Sequence, residues 1–456
     1  MSASAFWPVQ TEQRAPAHPP VELSLLSSEA KREIVRVERS ASEAMPHIVE
    51  GFGAWREAVP ATPHVVHVIG CLTPGGAERQ LATYAAAAHA RGLASHSVLT
   101  FHPAEGVGAH FRPLLESAGV RIRALRDPPS QSALHAINTN MKLRARMAAI
   151  PPHLGVEPMD FVGALLTTRP DVLHAWLDHS NILAGVAALA VGVKRIVLSL
   201  RSVSPPNFPA WYGEWMLPWY QALLTHDRVR IAANSRAGAN DYARWIGIDP
   251  SRIKVVNNGF DPSQFTHTEP ANVAALREEL DAVDRPLLLG VFRLSDEKRP
   301  IHFVNIARRV LSAVPNARIV IAGEGAMRNA IEDATQDLGD SFKLLGRRSD
   351  ISTLFAAADA TLLCSRVEGF PNALIEAQYL GCPIVSTDAG GAVETFMNGR
   401  TGFLHAQEDV EGMADSLAKL LTNRSLRAQF SRNARIFAAE RFGLEDMVRA
   451  TDALYR

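Results

Sequence analysis

The chain predicts an α/β protein built from two doubly wound parallel-sheet domains in series. Three observations lead there. From residue 64 onward, short apolar runs rich in β-branched residues alternate with longer stretches of helical period, and such alternation folds as parallel strands joined by right-handed crossovers. The alternation falls into two series, parted at 261–284 by a stretch that holds Pro262 and Pro270 and no sustained strand pattern. At 456 residues and 49.6 kDa the chain also exceeds what one ordinary core organises.

The first series places strands at 64–70, 95–101, 120–125, 171–176, 195–200, 230–234 and 253–257. The second places them at 287–292, 318–322, 342–345, 360–364, 383–387 and 402–404. Residues 1–60 read as a loose amino-terminal extension, 61–275 as the first domain and 276–456 as the second, with the last helix a candidate to pack back on the first domain. Within the first domain, 127–158 interrupts the rhythm. Its Pro128-Pro129 and Pro151-Pro152 pairs bracket one helix, which marks an insertion. Ligand is expected at the crevice where strand carboxyl ends and helix amino ends leave backbone amides unpaired.

Composition narrows the function. Hydrophobic residues make up 47% and charged residues 21%, a balance that builds cores rather than disorder. Lys plus Arg and Asp plus Glu both number 47, so no global charge draws the chain to nucleic acid or an anionic membrane. Cys71, Cys364 and Cys382 are too few and too scattered for a disulfide framework or zinc cluster, which suits a reducing cytoplasm. The proline-rich start does not read as a signal peptide, and runs such as 182–193 are too short to span a bilayer.

The most informative stretch is Glu368-Gly369-Phe370-Pro371-Asn372-Ala373-Leu374-Ile375-Glu376. Pro371 suits a first helical turn, because its φ is already helical and its missing N–H would be unpaired there. Gly381 ends the helix. The loop before Pro371 thus aims free amides and the positive end of the helix dipole at the sheet edge, beside the carboxylates of Glu368 and Glu376.

This Glu-x7-Glu pattern with Gly-Phe-Pro-Asn inside it resembles the retaining glycosyltransferases of family four, which have the GT-B fold of two Rossmann-like domains facing an interdomain cleft. The resemblance implies that the second domain binds a nucleotide-sugar donor and the first serves the acceptor. It places Glu368 against the donor sugar, Glu376 on the ribose hydroxyls, and the amides of Gly369, Phe370, Pro371 and Asn372 around sugar and phosphate. Arg293 and Lys298, in the loop after the 287–292 strand, resemble the pair that neutralises the leaving diphosphate. Pro74-Gly75-Gly76 resembles the amino-domain glycine loop, where Gly75 and Gly76 let backbone approach a phosphate or sugar. Arg347 falls where the family binds the base, either stacking on it or capping the sheet edge. Gly323-Glu324-Gly325 lacks a third glycine and reads as a turn.

The amino-domain sugar contact departs from the family. Register puts Trp176 where many members carry a histidine. Asp178 and His179 follow on an expected loop as substitute polar partners, and Asp178 is taken as the catalytic-side candidate. His174 is either a satisfied core histidine or a ligand. Arg201 meets either an anion or a structural partner. The combination of 173–178, 200–202 and 366–372 looks closest to the Vi capsular polysaccharide biosynthesis subgroup.

The implied activity is metal-independent retaining transfer from a UDP- or GDP-linked sugar, with no cofactor, to a glycan or lipid-linked acceptor in surface polysaccharide biosynthesis. Alternatives are a nucleotide-sugar 2-epimerase of the same fold and a non-catalytic sugar-nucleotide-binding subunit of a capsule assembly complex. A cytoplasmic protein is expected, and a basic helix of the insertion is either a peripheral contact with the inner membrane or a solvated helix packing on its own domain. There Lys142, Arg144 and Arg146 alternate with Met141, Leu143 and Met147. No nucleic-acid partner is expected.

Overall fold

A computed structural model describes residues 27–50, 59–265 and 268–456, and its described residues fall into two compact units. The first comprises residues 27–50 and 59–234 with Gly238–Val256 and Glu445–Arg456; the second comprises Asn257–Leu444 and the short Ser235–Ala237 segment. Each is built on one parallel sheet.

The first unit's strands are β1 His64–Ile69, β2 Ser95–Thr100, β3 Arg121–Ala124, β4 Val172–Trp176, β5 Arg195–Leu200, β6 Val229–Ala233 and β7 Ile253–Val255. They lie in the order β3-β2-β1-β4-β5-β6-β7, all neighbours parallel. The continuous apolar runs read from sequence are buried on both faces because helices such as Gly76–Ala90 and Asp178–Val191 cover the sheet. The chain first fills one flank and then the other, so strand order reverses between β1 and β4.

The second unit carries β8 Leu287–Val291, β9 Arg318–Ala322, β10 Phe342–Gly346, β11 Ala360–Leu363, β12 Ile384–Thr387 and β13 Gly402–His405. Their order is β10-β9-β8-β11-β12-β13, again parallel, with the reversal between β8 and β11. Twelve of the thirteen strands sit within a residue of their expected bounds, and β7 ends two residues early, at Val255.

Two expectations are overturned. The amino-terminal extension is not loose over its described part: helices Ser28–Glu33 and Ala41–Ile48 bury Ala30, Ile34, Ala41, Ala44, Met45 and Ile48 in the first unit's core. The second of them opens with a capping box between Ser40 and Glu43. Residues 1–26 and 51–58 lie outside the described residues.

The insertion holds two helices rather than one, Gln131–Thr139 and Met141–Ala149. The basic face expected on the second does not form, because Arg144 and Arg146 are buried. Arg144 Nε pairs with Glu33 at 2.6 Å, and Arg146 donates to the carbonyls of Glu50 at 2.8 Å and Ala190 at 3.3 Å. Met141, Lys142 and Ala145 are the exposed residues of that helix, and one cation near a surface is worth only about 1 kcal/mol. The arginines instead tie the amino-terminal helices to the sheet's helical layer. No helix among the described residues is long and apolar enough to cross a membrane.

Beneath the carboxyl ends of β1 and β4 lies a buried histidine cluster. The Trp176 indole N–H donates to His67 Nδ1 at 3.2 Å, so His67 carries its proton on Nε2 and donates it to His96 Nδ1 at 2.9 Å. This chain closes only with neutral rings, since a second proton on His67 would face the indole N–H. His174 joins through Tyr455 at 2.9 Å and Ser199 at 3.1 Å, and Tyr84 donates to Asp452 at 2.6 Å. Residues 452–455 are thus fastened to β4 and to the helix after β1.

Burial, then neighbouring charges, hold His67 and His174 well below the ordinary histidine value and His96 down to about 3. The unfolded chain takes up these protons from about pH 6.5 downward while the folded chain does not. Their stabilisation is therefore complete above pH 6.5 and is lost as pH falls from there toward the folded values. Each histidine should remove up to about 1.4 kcal/mol per pH unit below that point. Thermal unfolding between about pH 7.5 and pH 5 checks this: the midpoint should fall, less steeply in His96→Leu, and a flat profile would contradict it.

Candidate active site

In the second unit, the loops leaving β8 and β11 come together where the strand order reverses. The loop after β8 carries Arg293 and Lys298, and the loop after β11 carries Glu368. Lys298 Nζ donates to Glu368 Oε1 at 2.6 Å, and Ser365 Oγ donates to the same oxygen at 2.7 Å. Glu368 is only 6% exposed. Two donors on Oε1 fix the carboxylate's rotation and leave Oε2 without a hydrogen bond among the described residues. Ser365 is itself held, because its carbonyl accepts from Thr387 Oγ1, at the end of β12, at 2.7 Å.

Helix Asn372–Tyr379 begins directly after Pro371 with no side-chain cap; Leu374 N–H donates to Pro371 O at 3.2 Å, and the positive end of the helix dipole lies at this turn. Glu376 lies buried one turn in, and Phe370 is buried in a small aromatic cluster with Phe260 and Phe442. Glycines make the close approaches. A Cβ on Gly391 would stand 1.8 Å from the Gly369 carbonyl oxygen, and one on Gly323 would stand 1.8 Å from that of Phe292. Gly391 N–H donates to Glu368 O at 3.0 Å. The segment after β12 thereby clamps the Glu368 loop. Leu294 N–H donates to Glu324 O at 3.0 Å, so the Gly323-Glu324-Gly325 turn braces the loop that presents Arg293.

Arg293 is exposed at the tip of that loop. Arg299 is a structural residue. Its φ is +53°, and it grips both carboxylate oxygens of Glu408 at 2.7 and 2.8 Å. Arg347 is exposed after β10, while the adjacent Arg348 is taken by Asp350 and Glu279.

In the first unit, Gly75 caps helix Gly76–Ala90, and a Cβ there would lie 2.1 Å from Glu78 Oε2. That helix therefore opens with its own carboxylate folded over the glycine. Trp176, the last residue of β4, is 2% exposed, and the Arg201 guanidinium lies 4.9 Å from its ring centroid. Burial pushes Arg201 down to about 9, with Glu78 pulling it back up. Asp178 is not on a loop. It is the first residue of helix Asp178–Val191, reached through Leu177 at φ 74°. Its Oδ1 accepts from Tyr220 at 2.6 Å and Tyr242 at 2.7 Å. Burial raises its pKa against the pull of those hydroxyls. His174 is a buried core histidine hydrogen-bonded on both ring nitrogens, and His179 is exposed.

Sequence reasoning missed Ser365, Gly391 and Asn258. Ser365 left a faint signal, a hydroxyl three residues before a carboxylate. The others left none, because their partners are remote in sequence. Among the described residues no group of His, Cys, Asp and Glu side chains is placed to hold a metal ion.

Two family models match the chain. Glycosyltransferase Family 4 matches residues 74–264, and glycosyl transferases group 1 matches residues 273–437. Vi polysaccharide biosynthesis protein VipC/TviE of Salmonella typhi is 31% identical over 67% of this chain and 54% of its own length. The chain thus spans about half of that relative. An undecaprenol-linked-glycan α-1,4-N-acetyl-D-galactosaminyltransferase of Campylobacter jejuni is 26% identical over 81% of this chain and 91% of its own. HepE of Anabaena, solved in complex with UDP, superposes with a TM-score of 0.70 at 21% identity, covering 86% of this chain and 98% of that one. With two reversed parallel sheets, the loops described above and both domain models in order, the chain belongs to the GT-B family of glycosyltransferases, with a family-four domain followed by a group-one domain.

Proposed function

We propose that the protein is a retaining, metal-independent hexosyltransferase that uses a UDP- or GDP-linked sugar to extend a glycan or lipid-linked glycan in surface polysaccharide biosynthesis. The observation that carries this reading is the Lys298–Glu368–Ser365 constellation at the mouth of an uncapped helix. A cation, an oriented carboxylate and the positive end of a helix dipole converge where a diphosphate and its sugar would lie. The named relatives in Vi polysaccharide and undecaprenol-linked glycan synthesis support the acceptor class, and the HepE complexes with UDP and UDP-glucose support the donor class.

In this reading the bond between the anomeric carbon and the diphosphate oxygen breaks, and the electron pair leaves with the phosphate. Arg293 and Lys298 lower the cost of that charge. The acceptor hydroxyl attacks the same face as its proton passes to the departing phosphate oxygen, so no enzymic nucleophile is required. Glu368 Oε2 faces the sugar, Glu376 accepts from the ribose hydroxyls, and Arg347 lies toward the base. On the acceptor side, Asp178, anchored by its tyrosines, and the Gly75-Gly76 turn contribute polar groups. The protein would act at the cytoplasmic face of the membrane, through an attachment other than the buried arginines of the insertion.

Glu376→Ala should weaken binding of UDP or GDP about tenfold or more, since it removes charge-assisted hydrogen bonds worth roughly 1.5–3 kcal/mol. Titration calorimetry on the folded variant checks it, and unchanged affinity rejects the assignment.

Arg293→Ala and Lys298→Ala should lower turnover more than donor affinity, because diphosphate charge grows toward the transition state. Steady-state kinetics with UDP- and GDP-sugars test this, with the product anomer read by NMR. Inversion at the anomeric carbon, or activity lost in chelator and restored by magnesium, would overturn the mechanism.

A further inference from the structure

Pro371 has no N–H to donate and the helix that follows has no side-chain cap, so within the turn the backbone bond from Leu374 N–H to Pro371 O at 3.2 Å is supplemented from outside. Asn258, a few residues beyond β7, supplies the grip. Its buried Nδ2 donates to Phe370 O at 3.2 Å and to Asn372 Oδ1 at 2.6 Å, one acceptor on each side of the proline. An amide has one accepting end and one donating end. With Oδ1 of Asn372 turned to Asn258, its nitrogen is turned the other way. Asn258 is anchored in turn, because Phe260 N–H donates to Phe442 O at 2.8 Å and Leu444 N–H donates to Phe260 O at 3.0 Å. The Phe370 ring meets Phe442 edge-on at 5.7 Å. Residues 258–260, 370–372 and 442–444 are therefore one knot within the second unit.

We propose that Asn258 is a positioning residue for donor binding: acting through Phe370 O and Asn372, it holds the loop amides and the Asn372 amide in the orientation that receives the terminal phosphate of a nucleoside diphosphate. The proposal rests on the donor reading above. It differs from a packing role in what it predicts, since a loop aligned on the terminal phosphate matters to a diphosphate and not to the matching monophosphate.

The test is calorimetry of the full chain with UDP, GDP, UMP and GMP for the wild type, Asn258→Ala, Asn372→Ala and the double variant, with unfolding midpoints measured alongside. Asn258→Asp, which keeps the shape but cannot donate, replaces Asn258→Ala if the latter does not fold. Asn258→Ala should weaken the bound diphosphate about tenfold and leave the monophosphate within about twofold. The double variant should be little worse than the weaker single one, because the two residues act in series. Equal losses for diphosphate and monophosphate, fully multiplied losses in the double variant, or diphosphate affinity equal to wild type would each overturn the role of Asn258 while leaving the donor reading intact. A wild type that binds neither diphosphate overturns the donor reading and this inference together.

Discussion

Strand order in the second unit's sheet reverses between β8 and β11, so the chain leaves these neighbouring strands toward opposite flanks. A gap opens above their carboxyl ends that no crossover helix fills. The loop after β8 brings Lys298 to that gap and the loop after β11 brings Glu368, although 70 residues separate them. What surrounds the pair follows from this placement. Ser365 leaves the end of β11 beside Thr387 of β12, so the sheet itself sets the carboxylate's rotation. Gly323 and Gly391 stand where backbones of adjacent loops pass too close for any side chain. The Glu368 carboxylate, with one oxygen bound by a cation and a hydroxyl, is held in one orientation by the protein's own groups.

The first unit uses the same reversal, between β1 and β4, for a different purpose. There the strand ends meet over aromatic and imidazole rings rather than an ion pair. Trp176 is locked from below by His67 and from above by Arg201. Its indole N–H fixes the tautomer of His67, and that in turn fixes His96. A histidine at the Trp176 position would offer a polar atom to a sugar, whereas the tryptophan is consumed by its own support. The polar groups left at this edge are the Gly75-Gly76 turn with Glu78, and Asp178 held by two tyrosines.

The insertion shows how local pattern and tertiary context part company. Cations at Lys142, Arg144 and Arg146 on a short helix read as a solvated or lipid-facing stripe. The folded chain instead meets two of them with Glu33 and with backbone carbonyls at Glu50 and Ala190. Those partners come from the amino-terminal helices and from a helix of the sheet layer. The guanidinium groups thus bond carbonyls at or just beyond helix ends, where no intrahelical N–H is available.

The sequence by itself determined the two parallel sheets, their strands and the helix that starts after Pro371, because these follow from local periodicity, proline and glycine chemistry and the rule that strand–helix alternation makes parallel neighbours. The family resemblance carried by the Glu-x7-Glu pattern and the loop after β8 names Glu368, Glu376, Arg293 and Lys298 as a candidate set, because those motifs are local in the chain. Tertiary structure alone decided that Lys298 and Ser365 share one oxygen of Glu368, that Asn258 reaches across to Asn372, that residues 27–50 are core rather than tail, and that Arg144 and Arg146 point inward. Each of these depends on a partner remote along the chain. Hydrophobic and helical period carry no record of which distant group a polar side chain will meet, because that is fixed only when the sheets close and desolvation makes an unpaired buried donor costly.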